Sequence, residues 1–329
     1  MNHGLVLVCD RIESRSGIDI HTNTLEYTST TYFDALKESL CKISDSVSIY
    51  SSPKDFIDNI QMHSNDIVLS AIWSGTASRN RKSLVAAVCE AYGISYVGAD
   101  AYVQSVCQDK ALSKTLCADY AIEIPEGYLV EEKDRTDVLR LLHYPVIIKP
   151  NLEGSSIGIS NDSIADSYEE AVEKLGRIIP VFAPVLVEEY VDGREISICL
   201  AGSQDNVRIC EAVQLIVDGK DDFHHEVWGF ESKKGGASKC GRKIITDDIN
   251  PDILDEALKI FTDLGKVDYM RIDGRLHEGR FHLIELTPDC SLHPDCFMST
   301  AFKSNGYSYR GMVEELIDIA VERDSSVSV

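Results

Sequence analysis

The sequence predicts an α/β protein of more than one domain: a parallel α/β unit at the N-terminus, then two α+β units with longer strands. Three observations carry this. At 329 residues the chain exceeds what a single core comfortably serves. Its first third alternates short apolar runs with amphipathic stretches, the pattern of strands joined by helical crossovers. Beyond residue 184, long runs rich in valine and isoleucine dominate. Residues 1–104, 105–185 and 186–329 are the expected division.

The first unit's strands are GLVLVCD (4–10), SVSIYS (46–51), DIVLSAIW (66–73) and GISYVGA (93–99). YFDALKESLCKI precedes the second and RKSLVAAVCEAYG the fourth, each apolar at helical spacing, the latter stopped by Gly93. SVCQDKALSKTLCADYAI then reads as a helix, IPEGYLV as a strand, RTDVLRLLH as a helix and YPVIIKP as a strand. A helix at SYEEAVEKLGRI leads into the strands PVLVEEYV, EISICLAG and NVRICEAVQLIV. The polar segment 224–244 is too long for a tight hairpin and reads as a loop. The helix DILDEALKIFTDLG follows, then a hairpin over 268–286 turning at Glu278-Gly279. A last helix, YRGMVEELIDIAVER, precedes a frayed tail, DSSVSV.

Composition narrows the partners. Hydrophobic content of 44% and charged content of 26% are those of an ordinary globular chain. The 54 acidic and 32 basic residues give a net charge of −22, which repels nucleic-acid phosphates and anionic membranes alike. No apolar run approaches the ~20 residues that span a bilayer, and the N-terminus reads as a first strand and not as a signal peptide. Ten cysteines lie scattered, mostly inside apolar runs and without Cys-x-x-Cys pairs, as expected of reduced thiols in a cytoplasmic protein.

Three constellations carry chemistry. In IIKPNLEGSSIGIS (147–160), Lys149 places an ammonium at a strand end, Pro150 stops the ladder, and Gly154, Ser155, Ser156 and Gly158 can fold over an anion. In LVEEYVDGREIS (186–197), Glu188, Glu189 and Glu195 flank a turn at Gly193, where carboxylates can accept from an exocyclic amine and from ribose hydroxyls. In YMRIDGRL and FHLIELTPDC, Asp273 and Glu285 sit within apolar runs on adjacent strands. There a carboxylate is costly unless paired or metal-bound. Two hard oxygen ligands suit a magnesium ion bridging phosphates, and Arg271 shares the face of Asp273 by the period of two. An ion pair from Arg271 to Glu285 is the alternative.

In this order and spacing the sequence resembles the ATP-grasp superfamily, and within it the D-alanine–D-alanine ligases, from about Tyr92 to Leu316. The resemblance implies a Rossmann-like N-terminal domain followed by two subdomains that enclose ATP. It implies that Lys110 and Lys149 grip the phosphates, and that Ser155 and Ser156 close over them and the reacting carboxylate. Glu188, Tyr190 and Val191 match the adenine pocket, Glu195 the ribose contact, and Arg271 the residue stabilising a tetrahedral intermediate. Asp273 and Glu285 match the ligands of magnesium, two ions in the family, and Thr287 falls at the place of a further ligand. The implied reaction is amide formation between amino-acid or peptide substrates through an acylphosphate, and homodimers are the family's habit.

The departures fall largely where amino acids bind. The family's Gly-Gly-x-Ser-x-Glu segment reads CDRIESRSG, with Glu13 near the glutamate's place, and its His-Gly reads Ser74-Gly75. Glu-x-Asn reads Glu285-Leu286-Thr287, with Asp289 close by as a compensating ligand, and Ser-Leu reads Cys296-Phe297. Lys233 and Lys234 fall within the family's substrate-side loop. The expected function is therefore a carboxylate–amine ligase with another substrate pair. A D-alanine–D-alanine ligase with an atypical first motif, and a nucleotide-binding protein without catalysis, are the alternatives.

Overall fold

The computed structural model describes residues 3–10, 28–73, 78–132, 135–229 and 239–327. Glu13, Ser74, Lys233 and Lys234 lie outside the described residues. Strands β1 (Leu5–Cys9), β2 (Val47–Tyr50), β3 (Ile67–Ala71) and β4 (Ser95–Val97) form a four-stranded parallel sheet in the order β2-β1-β3-β4. All five residues of β1 are buried, because an inner strand of a parallel sheet is covered on both faces. Helices α1 (Thr30–Ile43), α2 (Pro53–Asp58) and α3 (Leu84–Tyr92) connect these strands. Ser29 and Ser52 cap the first two by accepting N–H bonds through their hydroxyls. Gly93, at φ 65°, ends α3 in the left-handed conformation that glycine adopts without steric cost.

The segment read as one helix after residue 104 is two. Helices α4 (Ala101–Gln108) and α5 (Lys110–Leu116) break at Asp109, whose backbone is extended and whose carboxylate accepts from the N–H of Leu112. Strands β5 (Gly127–Val130), β6 (Val146–Pro150), β7 (Ile164–Ala165) and β8 (Val185–Glu189) pair antiparallel in the order β5-β8-β6-β7, with α6 (Tyr168–Phe182) packed against them. RTDVLRLLH forms only a 3-10 turn, Asp137–Leu141, and not the expected helix. Its buried residues Leu139 and Leu142 are three apart, which suits a three-residue turn, and Pro145 disfavours helical backbone at the residue before it.

The third sheet is antiparallel, in the order β11-β10-β9-β12-β13. It comprises β9 (Arg194–Ser203), β10 (Asn206–Val217), β11 (Cys240–Ile244), β12 (Tyr269–His277) and β13 (Arg280–Pro288). Strand β11 takes up the end of the segment read as a loop, because its backbone completes a ladder with Val213–Val217. Helices α7 (Pro251–Asp263), α8 (Phe297–Ser304) and α9 (Tyr309–Val327) cover this sheet. The tail expected to fray is helical as far as Val327, after Arg323 has paired with buried Asp268. Among the described residues no helix is long and apolar enough to cross a membrane, and all ten cysteines are free.

Candidate active site

A cleft of about 1040 Å³ opens between the three sheets. Twelve of the residues singled out in the sequence line it: Lys110, Lys149, Ser155, Ser156, Glu188, Tyr190, Val191, Glu195, Arg271, Asp273, Glu285 and Thr287.

Strand period places the acidic end. Arg271, Asp273 and Arg275 alternate along β12 and project from one face. On β9, Cys199, Ser197 and Glu195 stand opposite them in turn. Across the hairpin Asp273 is directly opposite Glu285 and Arg271 opposite Thr287, and the register shifts just beyond, between Asp273 and Gly274. The tight turn at Glu278 and Gly279, with φ of 47° and 79°, sets that pairing. Asp273 accepts from the Ser197 hydroxyl at 2.5 Å, from Arg271 at 2.9 Å and from the Thr287 hydroxyl at 3.1 Å. Arg271 thus pairs along its own strand with Asp273, and Lys110 lies 3.0 Å from Glu285. Burial works against the Arg271 charge, and Asp273 more than offsets it, so the guanidinium stays protonated.

Asp289 is not a third acidic ligand here. Its carboxylate turns to Gln104 and to the N–H of Ala99, at 2.7 Å, and helps fasten β13 to the N-terminal sheet. Asp273, Glu285 and the Thr287 hydroxyl are too few for an all-protein cage. Such a set suits magnesium, which keeps waters and phosphate oxygens as further ligands.

Farther along the cleft, Glu188 is 3% exposed between two buried ammoniums. Lys114 Nζ stands 2.5 Å from Oε2, and Lys149 contacts Oε1. Burial would raise the Glu188 pKa, yet the two lysines together hold it below the usual carboxylate range. Burial also pulls Lys114 down to about 8, against the pull of Glu188. Lys114 was not singled out in the sequence. Its spacing of four from Lys110 on one helix was the available signal, since both project from the same face of α5.

The serine loop holds an unusual backbone. Ser155 and Ser156 have φ of 53° and 58°, the left-handed region that L-residues seldom occupy. Surrounding contacts keep it there: the Ser156 hydroxyl donates to the Trp228 carbonyl at 3.1 Å, and Arg81 pairs with Glu153 at 2.8 Å. Lys110 also donates to the Glu153 carbonyl.

Arg275 was likewise missed, although it continues the period of Arg271 and Asp273. It donates to the carbonyls of Phe223 and Glu226 and to the Tyr190 hydroxyl, and lies 3.7 Å from Glu195. It thereby fixes Tyr190 and Glu195 against the 223–226 segment. Tyr32, Trp73, Trp228, Arg242, Cys296 and Phe297 also line the cleft. Cys296 caps α8, its sulfur accepting from the N–H of Ser299.

Three sheets around a lysine- and carboxylate-lined cleft define an ATP-grasp fold, and solved structures bear this out. A D-alanine–D-alanine ligase from Bacillus anthracis complexed with ATP superposes with a TM-score of 0.73 over 98% of this chain and 99% of its own, at 16% identity. The VanG D-Ala:D-Ser ligase of Enterococcus faecalis gives 0.71 over 97% and 100%, at 18% identity. The family model "D-ala D-ala ligase C-terminus" matches residues 117–318, and the chain belongs to that family of ATP-grasp ligases. It is 26% identical to the D-alanine–D-alanine ligase of Thermotoga petrophila across 87% of this chain and 90% of the relative. It is 28% identical to the vancomycin B-type resistance protein VanB of E. faecalis across 71% and 68%. ATP-dependent joining of a carboxylate to an amine is the family's reaction.

Proposed function

We propose that this ligase joins two amino-acid-type substrates other than a pair of D-alanines. The observation that carries the reading is a contrast within one cleft. Lys110, Lys149, Asp273 and Glu285, which match the family's ATP-side residues, line it together with Cys296 and Phe297, which stand where the family has Ser-Leu.

In this reading the substrate carboxylate attacks the γ-phosphate, giving an acylphosphate and ADP. The amine of the second substrate then attacks the acyl carbon, loses a proton, and expels phosphate as the amide forms. Lys110 and Lys149 hold phosphate oxygens, and Glu188, fixed by Lys114 and Lys149, faces the adenine amine. Tyr190 and Val191 complete the adenine pocket, and Glu195 accepts from the ribose. The backbone N–H groups of Ser155 and Ser156 cover the transferring phosphoryl group, and the closed loop excludes water from the acylphosphate. Arg271 donates to the oxygen that becomes negative when the amine adds. Asp273, Glu285 and Thr287 would hold magnesium, which neutralises phosphate charge when bound.

The similarity to the T. petrophila D-alanine–D-alanine ligase favours a second reading, that D-alanine is itself the substrate. Incubating the enzyme with magnesium, ATP and single or paired amino acids of both hands separates the two. ADP and phosphate release with a pair other than D-alanine supports the first. Turnover of D-alanine well above all others supports the second, and silence with every mixture removes both.

A further inference from the structure

Arg242 is the third residue of β11, an edge strand, and stands opposite Leu215 of β10. Its guanidinium carbon lies 5.1 Å from the centre of the Phe297 ring, and that of Arg271 lies at the same distance from the same ring. The two cations differ in their partners. Arg271 is tied to Asp273. Arg242 lines the cleft half-buried, its Nε has no hydrogen-bond partner, and no carboxylate among the described residues lies within ion-pair distance. Asp295, exposed on the rim, is the carboxylate that acts on it, and burial holds the pKa of Arg242 below its ordinary value in spite of it.

Elsewhere the fold neutralises buried arginines. Arg81 meets Glu153, Arg275 meets Glu195, Arg208 meets Glu315 and Arg323 meets Asp268. A guanidinium that has shed water without a counter-ion is unfavourable, and an anion delivered to it by a ligand relieves that cost. Its planar fork suits a carboxylate bound through two hydrogen bonds. Phe297 therefore stands between a cation paired with Asp273 and a cation that faces the cleft with no carboxylate among the described residues in ion-pair contact.

We propose that Arg242 is a specificity residue that pairs with a side-chain carboxylate of the amine substrate, so that the enzyme selects an acidic amino acid over its neutral amide counterpart. The proposal rests on the ligase reading for the placement of the amine at the Cys296–Phe297 end. An aspartate- or glutamate-like amino acid has the required chemistry. Its α-amine is the nucleophile, and its side-chain carboxylate supplies the charge that Arg242 lacks.

The test is calorimetric titration of the full-length protein, loaded with magnesium and a non-hydrolysable ATP analogue. The titrants are aspartate, glutamate, asparagine and glutamine of both hands. One acid is expected to bind roughly 10- to 100-fold more tightly than its amide, the range of a charge-assisted contact. Arg242→Gln and Arg242→Leu should collapse that ratio to about threefold or less, and Arg242→Lys should keep part of it. Equal binding of acid and amide by the wild type overturns the proposal. So does an equal loss for both in folded Arg242→Gln, verified by circular dichroism. ADP and amide formation with the same compounds is measured in parallel. Discrimination in binding without turnover removes the ligase reading and leaves the carboxylate site standing; turnover without discrimination does the reverse.

Discussion

Lys114 and Glu188 meet at 2.5 Å behind the nucleotide end of the cleft, joining α5 to β8 across 74 residues of sequence. Lys149 holds the other carboxylate oxygen, so three buried charges carry a net positive charge into the floor of an acidic protein. Lys114 does not line the cleft itself. Its work is to hold Glu188, and through it Lys149, in place.

Replacing Lys114 with methionine keeps its bulk and removes that restraint. Breaking a buried ion pair costs about 3–5 kcal/mol, and because Lys149 still neutralises Glu188 the expected loss is the lower part of that range or somewhat less. Urea denaturation measures it. ATP should also bind more weakly, read as a higher KM for ATP, whereas a surface control such as Lys54→Met, whose partner Asp58 is exposed, should change neither.

Thr287 tests the metal end. Its hydroxyl donates to Asp273, leaving a short, weak ligand beside two carboxylates. Thr287→Asn supplies an amide oxygen and should lower the magnesium concentration that half-saturates ADP release. Thr287→Val should raise it. Asp273→Ala should cut ADP release by about 10³-fold or more, because it removes the proposed metal ligand and the partner of Arg271 together. Equal rates for Asp273→Ala and the wild type would show that this carboxylate is outside the reaction.

In the proposed mechanism the serine loop keeps water from the acylphosphate. Ser156→Ala deletes the hydrogen bond to the Trp228 carbonyl, about 1 kcal/mol of closure. A looser lid admits water to the acylphosphate, so ADP released per amide formed should rise above one. Chromatographic counting of both products in one reaction gives that ratio.

Asp289 gives a pH signature. Burial, with a smaller contribution from the neighbouring Asp268, pushes its carboxyl up to about 8. An unfolded aspartate titrates near ~3.9. Between these values the folded state binds the proton and the unfolded state does not, so this contribution is fully present below about 4 and is lost as pH rises towards 8. Asp268 is shifted in the same direction. Lys266, drawn down to about 8 by burial, gives the opposite slope above that pH. Asp289→Asn should flatten the fall in melting temperature between pH 5 and 8, as scanning calorimetry would show.

Much of the site was legible because its signals are local. Asp273 and Glu285 could be paired from alternation on two strands and a Glu-Gly turn between them. Both depend on backbone sterics within twenty residues, and the register of β12 with β13 follows from them. The split of the 105–122 segment at Asp109 was missed because its apolar spacing runs on through the break. Only the capping carboxylate marks the boundary. Strand β11 was missed because a polar edge strand has few apolar residues to announce it, and its partner β10 lies more than twenty residues upstream.

The sequence by itself determined the α/β alternation of the first third, the β12–β13 hairpin and twelve of the residues that line the cleft, because periodicity, turn chemistry and motif spacing act over short distances. Only the tertiary structure decided which charges meet. It set Lys114 on Glu188, turned Asp289 towards the N-terminal sheet, and left Arg242 beside Phe297 without a carboxylate partner among the described residues. Those outcomes depend on helices and strands from distant parts of the chain converging on one cleft, where low dielectric makes each pairing, or its absence, strongly felt.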